Sequence, residues 1–262
     1  MTELSALDPL VQRAARVLVT DHLQVGAGEN LLITTDPRTD ADLATVLFNA
    51  AEAAGAKPLV ARIPQLPLQG KLADRHLPNP LRSAMAESDC WIDLTFPYIA
   101  GSDAHDAALK AGRVRCLVAG GMDTTALAHL YAGAPLDAIY ELQSAFDQLV
   151  ADAEGKSCRM TDVLGSDVEF TMGKPTGRKP RRATKPGVSY SLPGSVVMYP
   201  DLESVRGRIV IVGAMHDWYG ALERPLTLEV DGRIRRVLDS GPDVQLLDRA
   251  LRRAGGGEYG HV

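Results

Sequence analysis

The feature that most constrains the fold is a regular alternation of short apolar runs with longer amphipathic segments over about the first 150 residues. Asn30–Thr35 is an apolar run between turn residues, and Asp40 then opens a segment with an apolar stripe at helical spacing, which Gly55 closes. Further strands of the same kind are predicted at residues 58–63, 90–96 and 114–119. Because these runs are apolar on both faces, the alternation predicts a parallel sheet covered by helices.

The character of the sequence changes after residue 154. Short β-like segments separated by turn residues follow, at 157–164, 168–172, 195–199, 209–212, 226–230 and 234–238. One further helix is predicted at 244–254. We therefore predict an α/β fold class, with a parallel-sheet domain at residues 1–154 and a β-rich α+β domain at residues 155–262 that carries part of an active-site cleft.

Composition excludes several classes of protein. The chain has 45% hydrophobic and 23% charged residues, which is typical of a globular protein. Its net charge of -5 argues against a nucleic-acid partner, and no apolar run is long enough to span a membrane. The three cysteines indicate neither a disulfide framework nor a metal knuckle. We expect a cytoplasmic location.

Two segments carry side chains suited to chemistry. His216 and Asp217 follow an apolar strand and are candidates for acid/base catalysis or substrate contact, the alternative being a loop histidine paired with its neighbour. Phe96, Tyr98 and Ile99 follow the third strand at the sheet edge where parallel sheets place ligands, and would bind a planar substrate unless they serve only in core packing.

Other motifs leave alternatives open. The pair Gly120-Gly121 lies between a strand and a helix, where free N–H groups could meet an anion, although a tight turn is the favoured interpretation. The basic segment 174–185 is either a solvated loop or an anion-attracting lid. Neither a nucleophile-elbow serine motif nor a phosphate-binding loop motif occurs, so serine hydrolase and P-loop activities have no support.

A family resemblance comes from three segments in the second half. Leu-Pro-Gly at 192–194 with Pro200, Gly-x-Ile-Val from Gly207, and the run Leu-Thr-Leu-Glu-Val-x-x-Gly-x-Ile at 226–234 resemble the aminopeptidase T family and the related 2,5-dihydroxypyridine 5,6-dioxygenases. The resemblance implies an N-terminal α/β domain, a β-rich second domain and a homodimer. It also implies a metal: Fe(II) for a dioxygenase, zinc or cobalt for a peptidase.

The resemblance favours the dioxygenase branch. The peptidase branch places a metal-binding glutamate just after Leu-Pro-Gly, where this chain has Ser195 and Val196. In both branches further ligands follow a segment that resembles residues 258–262, so the metal site is expected to be incomplete within residues 1–262. Three explanations are open: the sequence is a fragment, which is the favoured explanation, a partner chain completes the site, or the protein has no metal chemistry. His261 is a weak candidate for the first ligand, a frayed terminal residue being the alternative.

The resulting hypothesis is a metal-dependent dioxygenase that opens a small aromatic or heteroaromatic ring. Tyr190, His216 and Asp217, or the loop of Phe96, would position the ring and handle protons. The alternatives are a metallopeptidase that releases N-terminal amino acids and a non-catalytic binding or assembly protein with the same fold.

Overall fold

A computed structural model describes residue 6 and residues 8–175, 181–214 and 220–260. The chain divides into two compact units, one of Met1–Gln143 with Arg178–Ser195 and one of Ser144–Gly177 with Val196–Val262. Each unit is built from two separate stretches of chain. The domain border expected at residue 154 concerns two continuous domains, and it stays a prediction.

The first unit contains a five-stranded parallel sheet. Its strands are β1 Asn30–Thr35, β2 Lys57–Arg62, β3 Cys90–Asp93, β4 Arg115–Val118 and β7 Val188–Tyr190. Their order is β2-β1-β3-β4-β7. The predicted parallel sheet is confirmed, with β1 and β3 in its interior.

Helices of the first unit follow the strands in alternation. They are α1 Pro9–Arg16, α2 Ala41–Ala53, α3 Asn79–Glu87, α4 Asp103–Lys110, α5 Thr124–Ala132 and α6 Leu136–Asp152. Helix α1 continues as a π-helical segment Val17–His22, and a 3₁₀ segment Gly70–His76 precedes α3. The last residues of α6 belong to the second unit. Polar caps set several starts: Asp8, Asp40, Ser102 and Asp123 each accept a backbone N–H of the first turn.

Both faces of the sheet are buried in separate apolar clusters. Leu31 and Ile33 of β1 pack in a cluster with residues of α1, α2 and α5, whereas Leu32 points to the opposite face, where residues of α3 and α4 pack. This alternation explains why the consecutive residues Leu31, Leu32 and Ile33 of β1 are all apolar. None of the helices in the described ranges is long and apolar enough to cross a membrane.

The second unit contains a five-stranded antiparallel sheet in the order β10-β9-β8-β6-β5. Its strands are β5 Ser157–Thr161, β6 Asp167–Thr171, β8 Arg206–Ala214, β9 Gly220–Asp231 and β10 Arg233–Val237. A 3₁₀ turn Leu202–Ser204 precedes β8, and α7 Pro242–Ala254 follows β10. The core of this unit includes Phe170, Leu228 and Val230.

Two predictions about strands need correction, and one strand was missed. Residues 195–199 form no strand: Val196, Val197 and Met198 are successively exposed, without the alternation of a paired strand. The predicted strand at 90–96 ends at Asp93, because the Asp93 carboxylate binds the backbone N–H and hydroxyl of Thr95 and turns the chain. The three-residue strand β7 was not predicted.

Candidate functional site

The strand order of the parallel sheet reverses between β1 and β3. Strand β2 pairs with one edge of β1 and the next strand, β3, pairs with the other, so the connections leave the carboxyl ends of β1 and β3 in opposite directions. Such a reversal opens a crevice where ligands bind in open parallel sheets. A cavity of about 190 Å³ lies there, lined by residues of the loops that follow β1, β3 and β4.

The buried carboxylate of Asp36 connects two of these loops. Its Oδ1 accepts the backbone N–H groups of Arg38 and Thr39, at 2.7 and 3.0 Å. Its Oδ2 accepts the N–H of Phe96, at 2.8 Å. Because one carboxylate binds donors from both loops, it fixes the wall of the cavity on the side of β1 and β3.

Two helices begin at the cavity. Asp40 caps α2 with Oδ1, and its Oδ2 accepts the N–H of Thr124, the first residue of α5, at 2.9 Å. Asp123 caps α5 through Oδ1, which accepts the N–H of Ala126. The N-termini of α2 and α5 are thereby held side by side, and both present the positive end of a helix dipole.

Aromatic side chains form another part of the site. Phe96 lines the cavity, and its ring makes an edge-to-face contact with that of Tyr98, with the centroids 5.2 Å apart. The ring of Tyr98 packs against Gly120, where an added Cβ would lie 2.8 Å from Cε1 of Tyr98 and 2.1 Å from the carbonyl oxygen of Thr95. The loop after β4 therefore approaches this closely only because residue 120 is a glycine.

Asp93 holds the loop that carries the aromatic pair. It is fully buried at the end of β3, and it accepts hydrogen bonds from the hydroxyl groups of Thr34 and Thr95, at 2.9 and 2.6 Å, and from the N–H groups of Thr95 and Ile99, at 3.1 and 3.0 Å. Burial raises the pKa of Asp93, in opposition to these donors. The carboxyl group fixes both ends of the turn on which Phe96 and Tyr98 lie.

The structure brings together part of the predicted site. Phe96 and Tyr98 are adjacent at the cavity, whereas the side chain of Ile99 is wholly inside the apolar cluster with α3 and α4. Tyr190 is buried at the end of β7, and its hydroxyl group bonds the backbone N–H and C=O of Lys185, both at 3.0 Å. Predicted residues His216, Asp217 and His261 lie outside the described residues. All seven roles stay predictions.

The described residues do not form a metal site. Within residues 8–175, 181–214 and 220–260, no three histidine, cysteine, aspartate or glutamate side chains come together as a metal would require. The acidic residues at the cavity bind backbone N–H groups of the surrounding loops and helix starts. This part of the chain therefore does not fit the iron, zinc or cobalt expected from the resemblance.

Sequence reasoning missed Asp36, Arg38, Thr39 and Asp123 as cavity residues, and treated Asp40 as a helix cap alone. A signal was present, since Asp36 directly follows β1 and Asp123 shortly follows β4. The missing information was the strand order, which places these loops beside each other.

The fold and the cavity define a doubly wound α/β unit with a ligand-sized crevice at its strand-order reversal, followed along the chain by an antiparallel β unit. The sequence model of the family NicX, 2,5-dihydroxypyridine 5,6-dioxygenase, matches residues 13–258. The chain belongs to this family. No curated protein sequence matches it significantly.

Two solved structures have a similar fold. The 2,5-dihydroxypyridine dioxygenase of Pseudomonas putida KT2440 is 20% identical with a TM-score of 0.70, and the match covers 98% of this chain and 75% of that one. Wild-type AmpT of Thermus thermophilus is 14% identical with a TM-score of 0.58, and the match covers 92% of this chain and 74% of that one. At these identities the likeness shows the fold alone, and both families named from the sequence are represented.

Proposed function

We propose that the protein is a metal-dependent dioxygenase that opens a hydroxylated pyridine or a related electron-rich ring. The observation that carries the proposal is the family match over residues 13–258, which spans both structural units. The peptidase alternative has support from the fold only, and residues 195 and 196 offer no carboxylate where that branch has a metal ligand.

We place the substrate ring in the cavity at the carboxyl ends of β1 and β3. Its volume of about 190 Å³ suits one six-membered ring with small substituents, since a cavity of about 150 Å³ holds benzene. The side chain of Phe96 offers an aromatic surface for the ring, with Tyr98 supporting it from behind.

Polar groups at the cavity suit ring hydroxyl groups. Oδ1 of Asp123 is used in the helix cap, but Oδ2 accepts no hydrogen bond from the part of the chain that the structure describes. This oxygen would accept the proton of a ring hydroxyl group, which increases electron density on the ring. Arg38, the one cationic residue of the lining, would balance the negative charge that develops on the substrate.

The metal of the proposed enzyme has no ligand set among the described residues. The roles assigned above are therefore limited to binding the ring, orienting it and holding a proton. Fe(II) is the proposed metal, by resemblance to the family, and the homodimer inferred in the same way is also a proposal.

The test is oxygen uptake by the purified protein with an Fe(II) salt and 2,5-dihydroxypyridine. One O2 should be consumed for each ring lost, and mass spectrometry should find two ¹⁸O atoms in the product formed under ¹⁸O2. Phe96→Leu should raise KM about fivefold, as expected for losing an aromatic contact worth roughly 1 kcal/mol. Asp123→Asn should lower kcat, with Asp103→Asn as the control at an exposed carboxylate.

Two outcomes would contradict the proposal. Release of N-terminal amino acids with zinc or cobalt, without oxygen uptake, would identify the peptidase alternative. Absence of both activities in protein that binds no metal would favour the non-catalytic alternative. If turnover occurs but Phe96→Leu and Asp123→Asn behave like Asp103→Asn, the reaction stands and the assignment of the cavity is wrong.

A further inference from the structure

A second cavity, of about 530 Å³, lies in the second unit between β10 and α7. Four arginine residues line it, Arg235 and Arg236 on the strand and Arg249 and Arg252 on the helix. Asp248 is the only carboxylate among those lining residues that the structure describes. This excess of positive charge is local, because the chain as a whole has a net charge of -5.

The helix presents its cavity residues on one face. Val244, Asp248 and Arg252 are spaced four residues apart, and Gln245 and Arg249 form a second row beside them. The strand supplies Arg235 and Arg236 from the opposite wall. The positive charges therefore converge on one space from two separate elements.

Three of the four arginines have carboxylate partners. Arg235 pairs with Asp231 at 3.4 Å, Arg236 pairs with Glu229, and Arg252 pairs with Asp248 at 3.1 Å. Arg249 has neither a hydrogen bond nor an ion pair with the described part of the chain. Its guanidinium is thus available to a ligand without breaking a contact within this unit.

The one acidic group of the cavity is already occupied. The hydroxyl group of Tyr259 donates a hydrogen bond to the carboxylate of Asp248, and the guanidinium of Arg252 donates another. The same guanidinium lies 4.2 Å from the centre of the Tyr259 ring. These contacts fix Arg252 and reduce the repulsion that Asp248 would exert on an anion.

We propose that this cavity binds a small organic polyanion that carries at least two phosphate or carboxylate groups. Guanidinium groups bind both kinds of oxyanion through paired N–H donors, and the two facing walls suit a ligand with acidic groups at both ends. A long nucleic acid is disfavoured, since the surrounding chain is acidic overall. The site does not depend on the proposed ring cleavage, whose cavity lies in the other unit.

The test is isothermal titration of the full chain with pyrophosphate and, separately, with citrate, at constant ionic strength. We expect saturable binding of one ligand per chain in at least one of the two titrations. The ligand that binds more tightly shows whether the cavity prefers phosphate or carboxylate groups. Arg249→Gln should weaken binding about tenfold, because a charge-assisted hydrogen bond is lost. The matched control is Arg224→Gln on β9, an exposed arginine outside the cavity, which should change affinity by less than about twofold.

The proposal is wrong if neither pyrophosphate nor citrate binds saturably, or if Arg249→Gln and Arg224→Gln weaken binding equally. Binding of heparin without binding of pyrophosphate or citrate would also overturn it, in favour of an extended polyanion. Thermal unfolding of each variant provides the folding control. Oxygen uptake, measured on the same samples, reports on the ring-cleavage site independently.

Discussion

The backbone N–H of Phe96 donates a hydrogen bond of 2.8 Å to Oδ2 of Asp36, a residue that is only 2% exposed. This contact joins the loop after β1 to the loop after β3 at the point where the strand order reverses. Two residues 60 positions apart in the sequence thereby become neighbours in the candidate substrate site.

Asp36→Asn tests this contact. The amide group of asparagine has one acceptor oxygen, so the N–H of either Phe96 or the Arg38 turn loses its partner. We expect the free energy of unfolding, measured in urea, to fall by about 1–3 kcal/mol. Asp103→Asn, at an exposed carboxylate, should change it by less than about 0.5 kcal/mol. Equal effects of the two substitutions would contradict the proposed role of Asp36.

Gly120→Ala tests the close approach of the loop after β4. Its Cβ would meet the Thr95 carbonyl oxygen at 2.1 Å, so the backbone must move, and we expect a loss of about 3 kcal/mol in unfolding free energy. Gly121→Ala meets nothing within 4 Å, but it places an alanine at a φ of +78°, which costs about 1–2 kcal/mol. Calorimetry of both variants checks this order. A larger loss for Gly121→Ala would refute the packing argument.

His22 makes stability depend on pH. Burial, with the charge of Arg182, lowers the pKa of His22 to about 4, while Nδ1 lies 2.9 Å from the Tyr140 hydroxyl oxygen. Because the unfolded chain binds this proton more readily, the stabilising contribution is complete above about pH 6.5 and decreases as the pH falls towards 4. The total decrease from this group is about 3 kcal/mol.

Urea unfolding at several pH values between 4 and 7 measures this dependence. His22→Gln should flatten the profile, whatever its effect on stability at pH 7. His129→Gln, at an exposed histidine, should leave the slope unchanged. An unchanged slope in His22→Gln would show that another group causes the dependence.

Glu29→Gln tests the ion pair between Glu29 and Arg115, the first residue of β4. Nη1 and Nη2 of Arg115 bind the Glu29 carboxylate at 3.0 and 2.7 Å, and the arginine side chain is only 11% exposed. Removing the anion leaves a buried cation, so unfolding free energy should fall by about 2–4 kcal/mol in chemical denaturation. Lys71→Gln breaks an exposed pair of 3.6 Å and should cost less than about 1 kcal/mol. Similar losses would mean that burial does not strengthen the Glu29 pair.

Much of the fold could be predicted because its signals are local. The apolar run of β1 and the cap Asp40 are each contained within a few residues, and each marks an element that the structure confirms. Residues 195–199 misled the prediction, because their apolar composition suits a strand but no neighbouring strand pairs with them. Local composition gives β-propensity, whereas pairing depends on the partner.

The candidate site could be predicted only in part. Phe96 and Tyr98 follow a strand of a parallel sheet, which places them at the ligand-binding edge. The sequence could not assign Asp36 to the same cavity, since its partners include an N–H group 60 residues away. Likewise Arg236 and Arg249 belong to separate elements, and nothing in their spacing brings them to one cavity.

The sequence by itself determined the alternation of strands and helices, the helix starts and the change to β-structure after α6, because hydrophobic periodicity and capping act over one or two turns of chain. The tertiary structure alone decided that β3 and β2 flank β1, that β7 returns to complete the first sheet, and which loops surround the cavity. These features depend on long-range burial and hydrogen bonding, whose free energy belongs to pairs of distant residues and to neither residue alone.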